Sequence, residues 1–198
     1  MCGRYYVDES ALKEIQKLPG DLDWTRQEKY AGDICPSQEA LVIRERAGRL
    51  AAEKMIWGFP GFEKGRLLIN ARAESASERR TFRDCIRHRR CIIPAGGFYE
   101  WDKGKTKYSF ERKDGSVMFL AGCYNLYEDG HRFVILTTAA NPSMEPVHDR
   151  MPLILEPGEV KRWLLDDRGA EQILHNTPVL LNVSTEYEQL RLFWIKER

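Results

Sequence analysis

The sequence predicts an α+β fold: a mainly antiparallel β-sheet, barrel-like, with peripheral helices, in a single domain over residues 1–198. Three observations carry that prediction. Strand-like segments outnumber helical ones and mostly follow one another directly. Helical periodicity is confined to short stretches. No repeat, linker or low-complexity tract interrupts the chain's 198 residues.

The elements follow in order. Cys2 to Val7 reads as a short strand. Asp8 or Ser10 can cap a helix whose Ala11, Leu12, Ile15 and Leu18 share a face, with Pro19-Gly20 as its stop. Residues 21–39 read as loop. Ala40–Glu45 and Leu50–Trp57 suit a hairpin across Arg46-Ala47-Gly48-Arg49. Trp57-Gly58-Phe59-Pro60-Gly61-Phe62 is an aromatic loop punctuated by glycine and proline. Leu67–Asn70 is a brief strand, and Ser77–Arg90 a helix with Phe82, Cys85 and Ile86 inward. Cys91–Pro94 and Gly97–Trp101 are strands. Lys107–Arg112, Val117–Tyr124 and Arg132–Thr138 read as a meander turning at Asp114-Gly115 and Asp129-Gly130. Asn141–Met151 is a polar loop, Leu153–Leu155 a strand, Glu159–Leu165 a helix and Pro178–Val183 a late strand.

Composition narrows the function classes. The chain is 42% hydrophobic and 31% charged, enough for a real core, and its net charge of +1 gives no global signal for nucleic acid. No apolar run approaches the ~18 residues of a membrane span, and the charged first twenty residues do not read as a signal peptide, so a cytoplasmic protein is expected. The five cysteines are odd in number and form no C-x-x-C pair, so reduced thiols and no metal are expected. No cofactor motif is present, and nothing asks for more than a monomer.

Chemistry is suggested first by Cys2. An initiator methionine before a small residue is commonly trimmed, and trimming would leave a thiol and a free α-amine on one residue. Their reference pKa values, about 8.5 and about 7.7–8.0, leave both partly reactive near neutral pH. Such an aminothiol is a nucleophile with its own base, and it condenses with aldehydes to a thiazolidine. The alternative is an ordinary residue on a frayed terminus.

Four further segments stand out. Asn70-Ala71-Arg72-Ala73-Glu74 puts three polar groups at a strand end: Asn70 can orient an amine or polarise a carbonyl, and Arg72 can hold a phosphate. A surface turn with an ion pair would look the same. In Gly96-Gly97-Phe98-Tyr99-Glu100-Trp101, a carboxyl among aromatics suits a proton shuttle; alternation puts Glu100 with Phe98 and Tyr99 with Trp101, which favours the alternative, a Glu on the solvent side of the strand. In His148-Asp149-Arg150-Met151-Pro152, His148 is the best-placed imidazole of the chain, although its two charged neighbours are not expected to reach its ring. Arg150 could bind phosphate. The run Arg79, Arg80, Arg83, Arg87, Arg89 and Arg90 meets one acid, Asp84, and is either a basic DNA-facing surface or a solvated helix face. Trp57, Phe59, Phe62 and Trp101 could stack on bases or simply pack loops.

Taken together, Met1-Cys2-Gly3-Arg4-Tyr5, Asn70-Ala71-Arg72-Ala73-Glu74, Gly97-Phe98-Tyr99-Glu100-Trp101 and His148-Asp149-Arg150-Met151-Pro152 resemble the SRAP family of abasic-site-processing, "SOS response-associated peptidase" proteins, in the family's order. The resemblance implies that Met1 is removed by the protein itself, and that Cys2 then forms a thiazolidine crosslink with an abasic site in single-stranded DNA. It implies Cys2 as nucleophile, with Asn70, Glu100 and His148 in support. Arg4, Arg72 and Arg150 match positions near DNA phosphates, and the Trp57 loop resembles the base-wedging region only in general character. Strand cleavage by β-elimination would be a side reaction. Rival readings are an N-terminal-nucleophile amidohydrolase, counted against by the absence of His-Arg-Gly and Asn-Gly, a thiol peptidase using Cys2 and His148, and a non-catalytic DNA-binding module built on the Arg79–Arg90 segment.

Overall fold

The computed structural model describes residues 2–17, 30–63 and 65–185. Strand β1 (Arg4–Val7) leads into helix α1 (Glu9–Gln16), which Asp8 caps by accepting from the Ala11 N–H at 2.9 Å. Ala11, Leu12 and Ile15 are its buried face, as periodicity predicts. The predicted Leu18 contact, the Pro19-Gly20 stop and residues 21–29 lie outside the described residues. After β2 (Gly32–Ile34), β3 (Glu39–Arg46) and β4 (Arg49–Trp57) form the expected hairpin. Ala47 and Gly48 turn it at φ 52° and 78°, the pair of positive φ values that fits strand twist. A small ribbon of β5 (Phe59–Pro60) and β6 (Leu67–Leu68) precedes β7 (Asn70–Arg72).

The predicted Ser77–Arg90 helix breaks into pieces. Helix α2 (Ala73–Ala76) comes before it, α3 spans only Arg83–His88, and Arg90 already opens strand β8 (Arg90–Ala95). The cause is Arg90 itself. Its buried guanidinium donates to the carbonyls of Trp163 at 2.6 Å and Ile86 at 2.8 Å and to Asp167 Oδ1 at 2.8 Å. A buried cation needs that full set of partners, and it draws the chain out of the helix.

Strands β9 (Gly97–Trp101), β10 (Lys107–Arg112), β11 (Met118–Tyr127), β12 (Gly130–Ala139), β13 (Arg150–Pro152) and β14 (Ile154–Leu155) follow. Helix α4 (Val160–Leu165), an unpredicted α5 (Asp167–Ile173) and β15 (Leu181–Thr185) complete the described chain. Strands β12, β4, β3, β8 and β11 close on themselves through a β11–β12 pairing, making a five-stranded barrel. All these pairs are antiparallel except β12–β4, where Phe133 lies beside Trp57. A second antiparallel sheet runs β15-β10-β9-β1-β2.

The meander prediction is half corrected. The Asp129-Gly130 turn does join β11 to β12. The turn at Asp114-Gly115 instead carries the chain from one sheet to the other, since β10 pairs with β9 and β15. Phe98 and Phe110 stack at 5.0 Å across β9 and β10, and that aromatic pair, not the turn, decides where β10 goes. Gly97 permits the closeness: a Cβ there would stand 2.5 Å from the Phe110 carbonyl oxygen and 2.6 Å from Tyr6 Oη.

Candidate functional site

Strand β1 runs antiparallel to β9 with Arg4 opposite Tyr99. Continuing that register toward the N-terminus brings Gly3 and Cys2 alongside Glu100 and Trp101. Glu100 lies on the face of Phe98 and is 6% exposed, so it is buried with the aromatics and not on the solvent side of the strand, the alternative that alternation favours. Cys2 is 1% exposed, and its Sγ donates to the Arg4 carbonyl at 3.7 Å. From the barrel side, β7 pairs parallel with β12, Asn70 beside Ile135. That places the Asn70 amide so that Nδ2 donates to the Cys2 carbonyl at 3.0 Å. Asn70 Oδ1 is buried with no hydrogen-bond partner among the described residues, an acceptor waiting for an N–H at the head of the chain.

The electrostatics of Cys2 hold its sulfur in the thiol form. Burial pushes the thiol up to about 12, with the negative charge of Glu100 adding to the rise. The thiolate is therefore disfavoured near neutral pH while Met1 is attached. While Met1 is attached, iodoacetamide at pH 8 is expected to alkylate half-exposed Cys35 long before Cys2. Peptide mapping by mass spectrometry reads this, and equal labelling of both would show that Cys2 is not held as a thiol.

His148 stands on a groove of about 960 Å³ whose opposite wall is Trp101 and the turn after it. The segment behind His148 is pinned by buried Asn141, whose Nδ2 donates to the Pro178 and Val179 carbonyls at 3.0 and 2.7 Å. Contrary to expectation, both charged neighbours reach the ring. The Arg150 backbone N–H donates to Nδ1 at 3.0 Å, and Asp149 Oδ1 lies 2.8 Å from the same nitrogen. These two contacts hold the ring from the Nδ1 side. Trp101 joins the two halves: it lines the groove and follows Glu100 directly.

The arginines separate. Arg4 is half-exposed, 3.7 Å from Asp33, with its guanidinium 5.5 Å over the Trp101 ring. Arg72 is exposed at the end of β7, on the Asn70 side of the strand. Arg150 is engaged within the fold. Its side chain is 13% exposed, forks onto Glu74 at 2.5 and 2.8 Å, and donates to the Thr137 carbonyl at 2.5 Å. The pairing holds the Glu74 carboxyl below its ordinary range. These contacts brace β13 against α2.

Trp57 is buried. It is 0% exposed, stacks on Phe133 at 6.2 Å and packs on Tyr5 at 5.2 Å. Its Nε1–H donates to the Ile69 carbonyl at 2.9 Å, which fixes the residue before Asn70. Phe59 is buried too, and the aromatic of this loop that reaches solvent is Phe62, 96% exposed.

Two residues escaped the sequence reading. Tyr5 is fully buried with its hydroxyl unpartnered among the described residues; burial, then the nearby Cys2, push the phenol well up. Buried Thr137 accepts from Arg150 Nη2 and donates to the Ala71 carbonyl, each at 3.4 Å. A tyrosine and a threonine in β-strands carry no sequence signal for either role. Among the described residues, no three His, Cys, Asp or Glu side chains cluster as a metal site, and no helix is long and apolar enough to cross a membrane.

Comparison with known proteins places the chain in a family. The family model described as SOS response associated peptidase (SRAP) matches residues 1–195. The abasic site processing protein YedK of Escherichia coli is 31% identical over 186 residues, covering 87% of this chain and 83% of the relative. The abasic site processing protein YoqW of Bacillus subtilis is 34% identical over 179 residues, 83% of this chain and 80% of the relative. A crystal structure of a protein from Bordetella bronchiseptica superposes with a TM-score of 0.76 at 25% identity, covering 93% of this chain and 99% of the other.

Proposed function

The chain belongs to the SRAP family, and on that premise we propose that it processes abasic sites in single-stranded DNA by joining the lesion sugar covalently to Cys2. The observation that carries this reading is the meeting of Cys2, Asn70 and Glu100, with the Cys2 carbonyl on Asn70 Nδ2 and the Glu100 carboxyl bearing on the thiol. The names of the two relatives, abasic site processing proteins, support it.

The chemistry runs in two parts. Hydrolysis of the Met1–Cys2 peptide bond, carried out by the protein itself, frees the amine. An abasic sugar equilibrates with an open-chain aldehyde at C1′, which the neutral amine attacks. Loss of water gives an imine. The sulfur then adds to C1′ while the thiol proton passes to nitrogen, closing a thiazolidine. Asn70 Oδ1 orients the amine as an acceptor. Glu100 and His148 move protons between the sugar oxygen, the leaving hydroxyl and the amine. An imine at C1′ also acidifies the 2′ hydrogen, so β-elimination of the strand competes until sulfur closes the ring. Arg4 and Arg72 meet phosphates beside the lesion, while Trp101 and Phe62 meet bases. In this reading the protein acts as a monomer in the cytoplasm and needs no cofactor.

A single-stranded oligonucleotide with one abasic site should yield an adduct that survives heat and SDS. Its intact mass should equal the chain without Met1 plus the DNA, less one water. An adduct that retains Met1 would overturn the reading.

A further inference from the structure

The basic run of the sequence divides into two sets. Arg90 is spent on the fold as described, and half-buried Arg89 donates from Nη2 to Cys85 Sγ at 3.6 Å. Arg79, Arg80, Arg83 and Arg87 are exposed. A turn leads into α3: the Arg83 N–H donates to the Arg79 carbonyl at 2.8 Å and the Ile86 N–H to the Phe82 carbonyl at 2.8 Å. Arg83 and Arg87 stand at i and i+4 on the exposed side of α3, with Cys85 and Ile86 buried, and Arg79 and Arg80 lie in the turns before it. Arg79, Arg80 and Arg87 form no ion pair among the described residues, and Arg83 has only an exposed one with Asp84, its neighbour, at 3.5 Å. These are solvated cations that the fold does not use.

Their place matters. Arg72 sits at the end of β7, and only the single turn of α2 and the residues after it separate it from Arg79. Arg87 also borders a notch of about 550 Å³ that Glu78, Asp167 and Glu171 help to line.

We propose that Arg79, Arg80, Arg83 and Arg87 form a second, sequence-independent contact with the DNA backbone, holding the polynucleotide that flanks the lesion. The proposal rests on the reading that the Cys2 site takes abasic DNA. The test uses DNA carrying a tetrahydrofuran lesion, which has no aldehyde and cannot be trapped. A short oligonucleotide covers the lesion and its immediate neighbours; a long one extends beyond them. In a fourfold Arg→Gln variant at these positions, the preference for long over short DNA should fall about tenfold or more. The salt slope on the long DNA should become shallower by about 0.7–0.9 for each phosphate that the variant no longer neutralises. A fourfold Arg→Lys variant should restore both, because a phosphate contact needs only a cation. An unchanged length preference and slope in the glutamine variant would overturn the proposal, as would failure of lysine to restore them in a variant that melts like the parent. Failure of the proposed crosslinking would show separately, as absence of adduct from the parent on aldehyde-bearing DNA of either length.

Discussion

Changing Cys2 to alanine is expected to reduce the heat-stable adduct to background while leaving an imine that borohydride can trap. Alanine is small enough for Met1 to be trimmed by other means, so the α-amine survives and only the sulfur is removed. In the proposed chemistry the amine makes first contact with the sugar, and sulfur makes the product permanent. Without ring closure the imine has two exits, hydrolysis back to aldehyde or β-elimination, so the variant should also nick the DNA more than the parent does. Denaturing gels with and without borohydride read all three outcomes. The fold should tolerate the change, since removing one buried sulfur costs about 1 kcal/mol. A heat-stable adduct at the parent's level in Cys2→Ala would end the proposal outright, and loss of the trapped imine as well would make sulfur the first nucleophile.

How far the sequence could be read is clearest at particular residues. Period two pairs Glu100 with Phe98 on one face of its strand, but alternation alone favours an exposed carboxylate, and the burial of that face is decided by β1 and β10 on either side. The cap at Asp8 and the Ala47-Gly48 hairpin were legible because their chemistry is local. Asn70 could be singled out at a strand end, but its bond to the Cys2 carbonyl depends on β7 lying against β12. Nothing nearby in the chain encodes that pairing. The same limit acts elsewhere. Asp114-Gly115 and Asp129-Gly130 have equal turn chemistry, yet only the second makes a hairpin, because Phe98 captures Phe110. Trp57 beside glycine and proline looks like an exposed loop aromatic until Phe133 and the Ile69 carbonyl are brought to it. Arg150 looks free until Glu74 arrives from 76 positions away. Six arginines in one run look alike until Arg90 finds Trp163 and Asp167. Barrel closure through the parallel β12–β4 pair is likewise decided only when distant strands meet.

Changing Glu100 to glutamine should move two reactivities of Cys2 in opposite directions. Glutamine keeps the size of the side chain and removes its charge and its proton. If Glu100 shuttles protons during imine formation, adduct formation should slow by about 10²–10⁴. The same carboxylate charge is the second cause, after burial, of the raised Cys2 thiol. Removing a negative neighbour makes the thiolate less unfavourable, so the thiol falls from its elevated value and ionises more at any given pH. Alkylation of Cys2 in Met1-bearing protein should therefore speed up. Unfolding would also raise alkylation and lower adduct, and two controls separate the cases. Cys91 is fully buried, its thiol pushed up mainly by burial, and it should stay unlabelled as long as the barrel is closed. Glu100→Asp keeps the charge on a shorter arm, so Cys2 alkylation should stay slow while adduct formation recovers only in part. A glutamine variant that crosslinks at the parent's rate would remove Glu100 from the chemistry and leave the proton transfers to His148, whose ring is held at Nδ1 by the Arg150 N–H and Asp149.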